Sequence, residues 1–216
     1  MTRVVIADDH QILREGLKQL LESAGEIEVV GEAGDGFAVL EHVRSTDFDV
    51  LLLDMSMPGK SGMELIKQVK TERPRLRILV LSMHEEHQYA VRAIRAGASG
   101  YLTKESAASS LVAAIRKVAR GGAFISAEVA EHLALDAMPH SEGPLHESLS
   151  DREYEVFRML VAGSSVTEIA ERLHLSAKTV STHKARLMEK LQVANNAELF
   201  HYAARHRLWD DPKASA

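Results

Sequence analysis

Apolar residues in the first 120 positions fall into two alternating patterns. Short stretches rich in Val, Ile and Leu, namely Arg3–Ala7, Glu28–Gly31, Val50–Leu53, Arg77–Ser82 and Ser99–Leu102, have the length and composition of strands. Between them, apolar positions recur three and four apart, as with Ile12, Leu13, Leu17, Leu20 and Leu21 in Gln11–Ser23. Helices are predicted over Gln11–Ser23, Phe37–Arg44, Gly62–Glu72, Glu86–Ala96 and Ser106–Arg120. The third opens on the capping box Ser61-x-x-Glu64, and the fourth stops at Gly97, a suitable left-handed cap. Five such βα units predict an α/β domain, a five-stranded parallel sheet with helices on both faces. Right-handed crossovers favour the strand order 2-1-3-4-5.

The pattern changes after Gly121-Gly122, which breaks the fifth helix. Ser126–Ala137 has helix-compatible spacing through Val129, Leu133 and Leu135, and Met138–Pro144 has the composition of a linker. From Leu149 onward the periodicity is helical throughout. Ser150-x-x-Glu153 opens a helix through Val156, Phe157, Leu160 and Val161 that ends at Gly163. Ser165-x-x-Glu168 opens a short one through Ile169, Ala170 and Leu173. His174-Leu175-Ser176 makes a turn, Ala177–Leu191 forms a third helix and Asn196–His206 a fourth. Two short helices joined by a tight turn predict an all-α, four-helix domain built on a helix-turn-helix. The expected organisation is a domain over 1–120, a linker with a short helix over 121–147 and a helical domain over 148–210.

Composition narrows the class. At 216 residues, 45% hydrophobic and 26% charged, the chain suits two modest globular domains. It has no cysteine, which excludes disulfides and thiolate chemistry. The N-terminus turns acidic at Asp8-Asp9 before a signal-peptide core is complete, and no apolar run approaches the roughly 20 residues that span a bilayer. A cytoplasmic protein without a membrane partner is expected. Net charge is −5, unevenly spread. Residues 1–120 hold 16 Lys and Arg against 17 acids, and 121–147 hold five acids and no Lys or Arg. Residues 174–190 carry Lys178, Lys184, Arg186 and Lys190 against Glu189 alone, net +3. A weakly acidic protein that concentrates cations on one segment can bind a polyanion there.

Candidate chemistry follows from the predicted topology. Asp8-Asp9 closes the first strand, Asp54 the third and Ser82 the fourth, while Lys104 lies just past the fifth. All would meet at the carboxyl edge of the sheet, where open α/β folds keep their ligands. Three carboxylates together repel and call for a cation, and hard oxygen ligands with open positions suit Mg2+. The bland alternatives are a turn-initiating Asp54, helix-capping Asp8 and Asp9 and a surface Lys104. In the third C-terminal helix, Val180, Leu187 and Leu191 define a buried stripe. The opposite face carries Lys178, Ser181, Thr182, Ala185 and Arg186, with Lys184 at its edge. A face that is cationic, hydroxyl-bearing and slim fits the major groove. His84 and His87 have metal-like spacing without a third ligand and read as surface histidines.

Residues 1–120 resemble the flavodoxin-like receiver domain of two-component response regulators. The matching pieces are Ile6-Ala7-Asp8-Asp9-His10, Leu53-Asp54-Met55-Ser56-Met57-Pro58-Gly59, Leu81-Ser82-Met83 and Gly100-Tyr101-Leu102-Thr103-Lys104. The resemblance implies that Asp54 accepts a phosphoryl group from a sensor histidine kinase. It implies that Asp9, Asp54 and the backbone carbonyl of Ser56 hold Mg2+ with help from Asp8, and that Ser82 and Tyr101 form a switch pair. Glu105 follows Lys104 where many receivers have Pro with a cis peptide. Leu149–Glu153, Glu168–Ala170, Ser176–His183 and Lys190–Val193 resemble the LuxR-type DNA-binding domain, which makes the whole chain similar to NarL/FixJ-type regulators. That likeness puts Ser181, Thr182 and Ala185 at base-facing positions and Lys178, Thr179, His183, Lys184 and Arg186 near DNA phosphates. It further implies double-stranded DNA, a homodimer formed on phosphorylation and RNA polymerase as partners, and no turnover enzyme. The rivals are a receiver whose output is protein or RNA binding, and an aspartyl-phosphate phosphatase. The phosphatase would want an acid where Ser56 stands.

Overall fold

The run Val50–Asp54 forms a strand buried at every position, which is why its apolar residues are continuous rather than alternating. The computed structural model of the chain describes residues 1–57, 62–82, 87–136, 144–206 and 208. Strands β1 (Thr2–Ala7), β2 (Ile27–Ala33), β3 (Val50–Asp54), β4 (Arg77–Ser82) and β5 (Gly100–Thr103) pair in parallel in the order β2-β1-β3-β4-β5. Helices α1 (Gln11–Ser23) and α5 (Lys104–Ala119) share one core. In it Leu17 and Leu21 meet Leu111, Ala114, Ile115 and Val118 over Val4, Ile6, Val50, Leu52, Leu79 and Leu81. Helices α2 (Gly36–Ser45), α3 (Gly62–Glu72) and α4 (His87–Ala96) neighbour one another in sequence order. The sheet order and class are as predicted, and β2 runs longer than expected at both ends.

Two differences from the expected elements have local causes. Helix α5 starts at Lys104 rather than Ser106, because the Thr103 hydroxyl accepts the Ser106 N–H at 3.3 Å and caps it there. Past α5 the chain returns along β5: the Phe124 N–H donates to Ser99 O at 3.1 Å, and the Tyr101 N–H donates to Phe124 O at 2.9 Å. Helix α6 (Ala127–Asp136) then packs on α4. Ser61, His84, Glu86 and residues 138–143 of the expected linker lie outside the described residues.

The chain divides into two units, 1–137 and 138–216. The second begins, among its described residues, with a single 3-10 turn (Leu145–Ser148). Helices α7 (Asp151–Val161), α8 (Val166–Leu173), α9 (Ala177–Leu191) and α10 (Asn196–Arg205) follow. Both capping boxes form, Ser150 with Glu153 and Ser165 with Glu168. Tyr154, Phe157, Ile169, Val180, Leu187 and Leu199 are fully buried and make the small core.

Three polar groups are buried among the described residues of this unit, His146, Glu153 and Glu155, and Glu153 ties two helices together. The Glu153 carboxylate accepts the Ser150 N–H at 2.8 Å and the Lys190 ammonium at 2.6 Å. Burial alone would raise its pKa, but the Lys190 and Ser150 hydrogen bonds outweigh burial and hold it below the usual carboxylate range. The stability this contributes is present above the ordinary Glu pKa and is lost as pH falls through the lower folded value. Lys190→Met is therefore expected to destabilise the helical unit by about 1–2 kcal/mol, between the values for exposed and buried pairs. Urea unfolding at neutral pH measures the deficit, which shrinks in acid as Glu153 protonates.

Candidate functional site

Strand register brings the candidate residues of the first unit to one rim. Ala7 pairs with Leu53, Asp54 with Leu81 and Ser82 with Thr103. Asp8 therefore follows β1 where Asp54 closes β3 and Ser82 closes β4, and Lys104 begins α5 beside them. Asp8, Asp54 and Ser82 are buried. The Lys104 Nζ lies 2.7 Å from Asp8 Oδ2 and 3.0 Å from Asp54 Oδ2, one cation between two buried carboxylates. The other oxygens take backbone donors: His10 N–H reaches Asp8 Oδ1 at 2.8 Å, and Ser56 N–H reaches Asp54 Oδ1 at 3.2 Å. Asp54 Oδ2 faces the Lys104 ammonium and has no other donor among the described residues.

Electrostatics leave this site short of positive charge. Burial pushes the Asp54 carboxyl above its usual pKa, the Lys104 charge pulls it down and the Asp8 charge pushes it up again, for a net rise. Burial would lower the Lys104 pKa, but the Asp8 hydrogen bond and the Asp54 charge outweigh that, and the ammonium is retained. Asp8, Asp9, His10 and Asp54 each offer one ligand atom, all within 4.8 Å of one another. The His10 Nδ1 stands 2.8 Å from Asp9 Oδ1 and 3.2 Å from Asp8 Oδ1. Three carboxylates gathered at one rim, with a single ammonium against two of them, leave a surplus of hard, negatively charged oxygen donors that fits a divalent cation.

Tyr101 sits elsewhere on β5. Its half-buried ring packs with Ala90 and Val91 of α4 and Val129 of α6.

In the second unit, α8 ends at His174 in the left-handed region (φ 53°), and Leu175 leads to Ser176. The Ser176 hydroxyl caps α9 by accepting the Thr179 N–H at 3.0 Å. Val180, Leu187 and Leu191 form the buried stripe, as predicted. Lys178, Ser181, Thr182, Ala185 and Arg186 are exposed, while Thr179, His183 and Lys184 are half-buried. Burial first, then the Arg152 and Arg186 charges, outweigh Glu153 and hold His183 below its usual pKa. Its imidazole is neutral at physiological pH. Lys190 is drawn into the Glu153 pair, so the outward positive charge of α9 rests on Lys178, Lys184 and Arg186.

The comparisons with known proteins agree with this division. The family model for the response regulator receiver domain matches residues 4–116, and that for bacterial regulatory proteins of the luxR family matches residues 147–203. The response regulator UvrY of Escherichia coli (strain K12) is 37% identical over 209 residues, covering 96% of each chain. The response regulator GacA of Pseudomonas aeruginosa is 35% identical over 211 residues, covering 97% of this chain and 99% of that protein. A solved structure of RcsB from Salmonella enterica serovar Typhimurium is 33% identical, with a TM-score of 0.68 over 94% of this chain and 99% of that one.

The chain belongs to the NarL/FixJ-type response regulators.

The regulator's receiver gathers Asp8, Asp9, Asp54 and Lys104, with Ser82 on the same rim, and a LuxR-type helix-turn-helix forms its output domain. Sequence reasoning did not place His10 with the carboxylates, although it directly follows Asp8-Asp9 and its backbone N–H is tied to Asp8. The Lys104–Glu105 peptide is trans. No described helix is long and apolar enough to cross a membrane. His84 and the side chain of His87 lie outside the described residues.

A raised Asp54 pKa means that folding favours the neutral carboxyl, so its charge costs stability once pH rises through the folded value. Asp54→Asn is expected to stabilise the receiver at neutral pH, because it removes the carboxylate that burial and Asp8 disfavour while Lys104 stays paired with Asp8. The gain disappears in acid, where the native carboxyl is protonated. Urea unfolding across pH checks this, and a less stable variant at neutral pH contradicts it.

Proposed function

We propose that Asp54 accepts a phosphoryl group from a phosphohistidine of a sensor histidine kinase. The modification controls dimerisation and sequence-specific binding to double-stranded DNA, and so regulates transcription in the cytoplasm. The observation that carries this reading is Asp54 itself: buried at the rim, facing Lys104, with Asp8, Asp9 and His10 ligand atoms within 4.8 Å.

The step is a substitution at phosphorus. An Asp54 carboxylate oxygen forms the new P–O bond, and the P–N bond to the kinase imidazole breaks. The electron pair returns to that nitrogen, which takes up a proton from solvent. Asp9, Asp54 and the Ser56 carbonyl would hold Mg2+, with Asp8 helping through water. When bound, the ion supplies positive charge to the phosphoryl oxygens. Lys104 neutralises the same oxygens from the α5 side, and Ser82 donates a hydrogen bond to them. Because these contacts strengthen only after transfer, they shift the equilibrium of the domain. Tyr101 turns inward behind Ser82 as the second half of the switch.

In the output domain, α9 enters the major groove. Ser181, Thr182 and Ala185 face bases, while Lys178, Thr179, Lys184 and Arg186 take backbone phosphates. His183 joins them as a neutral hydrogen-bond donor. The RcsB structure, described as bound to promoter rprA in the presence of the phosphomimetic BeF3−, supports both DNA binding and its link to the phosphorylated state. Helix α10 is the proposed dimer contact, and RNA polymerase the proposed downstream partner.

Duplexes enriched from a random library test the output. Affinity is expected to fall steeply with salt. Lys184→Ala combined with Arg186→Ala should reduce the log–log slope by about two and weaken all sequences alike. A small acyl-phosphate donor with Mg2+ should raise affinity and self-association together. A phosphorylated chain with neither change would refute the coupling.

A further inference from the structure

We propose that α6 is a removable cover over the α4–β5 surface, seated on Tyr101 and released when that ring turns inward. The proposal rests on the reading of Tyr101 as a switch residue and names what the switch acts on. It makes the occupant of that surface a segment of this same chain.

Burial along α4 is the first observation. Tyr89, Ala90, Val91, Arg92 and Ala93 are five consecutive buried residues. A helix packed on a sheet by one face leaves its opposite face to solvent, so five in a row require a second covering element. Helix α3 covers part of that surface, and α6 lies against α4 as well, over Ala90 and Val91. Val129 is 3% exposed, and with Leu133, one turn further on, it packs in a cluster with Ala90, Val91, Tyr101 and Ile125.

The approach to that cover is built into the sheet edge. Phe124 makes an isolated parallel bridge with Gly100, bonded on one side to Ser99 O and on the other to the N–H of Tyr101 itself. A Cβ at position 100 would stand 2.9 Å from Phe124 O and 2.9 Å from the Leu79 side chain, so glycine is what admits the returning chain. The segment thus closes the free edge of β5 and hydrogen-bonds the residue whose ring it covers.

Charge runs the same way. Helix α4 carries Arg92 and Arg95 and no acid, whereas α6 carries Glu128 and Glu131 and no Lys or Arg. Among the described side chains of α6 the apolar seat is small, Val129 buried and Leu133 half-buried. An element held by few buried contacts opens at low free-energy cost, as a cover must. Once the Tyr101 ring withdraws, Val129 and Leu133 lose part of their platform, and the start of the connection to the output domain is freed.

The absence of native cysteine makes the test clean. Hydrogen exchange of the full chain, with and without acyl-phosphate donor and Mg2+, should show amides of 127–136 exchanging at least about tenfold faster after phosphorylation. The Ala90→Cys, Val129→Cys double variant, oxidised to join α4 to α6, should gain the phosphoryl mass yet fail to self-associate, and reduction should restore the response. Leu133→Asp should self-associate without any donor. Unchanged α6 protection in a chain shown by mass to be phosphorylated overturns the cover, as does a crosslinked chain that still self-associates. A chain that takes no phosphate overturns the phosphorylation reading, and with it release through Tyr101; Leu133→Asp that stays inert then removes the cover as well.

Discussion

One ammonium held between two buried carboxylates is the constraint on which the receiver depends. Lys104 sits 2.7 Å from Asp8 and 3.0 Å from Asp54, and neither carboxylate would be tolerable at the top of an apolar sheet without it. The compensation is incomplete. The Asp54 pKa stays raised, its Oδ2 has no donor besides the shared ammonium among the described residues, and Asp9 and His10 crowd the same rim. A site left in partial electrostatic deficit can gain interactions when cations and phosphoryl oxygens arrive. That gain is the source of differential free energy for a switch.

The output domain uses the opposite economy, with its buried charge fully satisfied. Glu153 is bonded by the Ser150 N–H and the Lys190 ammonium, and fixes α7 to α9 across the small core. Satisfied capping boxes and left-handed turns at His174 and Gln192 set the directions of α8 and α9. The exposed face of α9 keeps Lys178, Ser181, Thr182, Ala185 and Arg186 outward. Satisfied polar groups here hold a reading surface in place, whereas the electrostatic deficit of the receiver leaves it interactions to gain.

Much of this was legible in the chain because its local rules agree with one another. The continuous run Val50–Leu53 before a Pro-Gly turn signal reads as a strand buried on both faces, and the strand ends around it turn Asp54 from a plain turn residue into one at the sheet's carboxyl edge. Both C-terminal capping boxes announced helix starts that the structure keeps. What escaped were contacts between residues far apart in sequence. Nothing near Lys190 signals that Glu153, 37 positions earlier, will take its charge away from the α9 surface. The bridge of Phe124 to Gly100 is equally invisible, because a lone Phe after Gly121-Gly122 carries no strand periodicity. His10 and Asp9 meet through a turn whose side-chain directions no spacing rule supplies.

The most direct test of the account is to locate the modified atom. Borohydride reduction of the chain after exposure to a small acyl-phosphate donor and Mg2+ converts an aspartyl phosphate to homoserine, which peptide mass spectrometry can place. The account predicts a single conversion at Asp54, abolished in Asp54→Asn and suppressed when Mg2+ is removed. Conversion at Asp8 or Asp9 instead, or none in a chain that still responds to the donor, would contradict it.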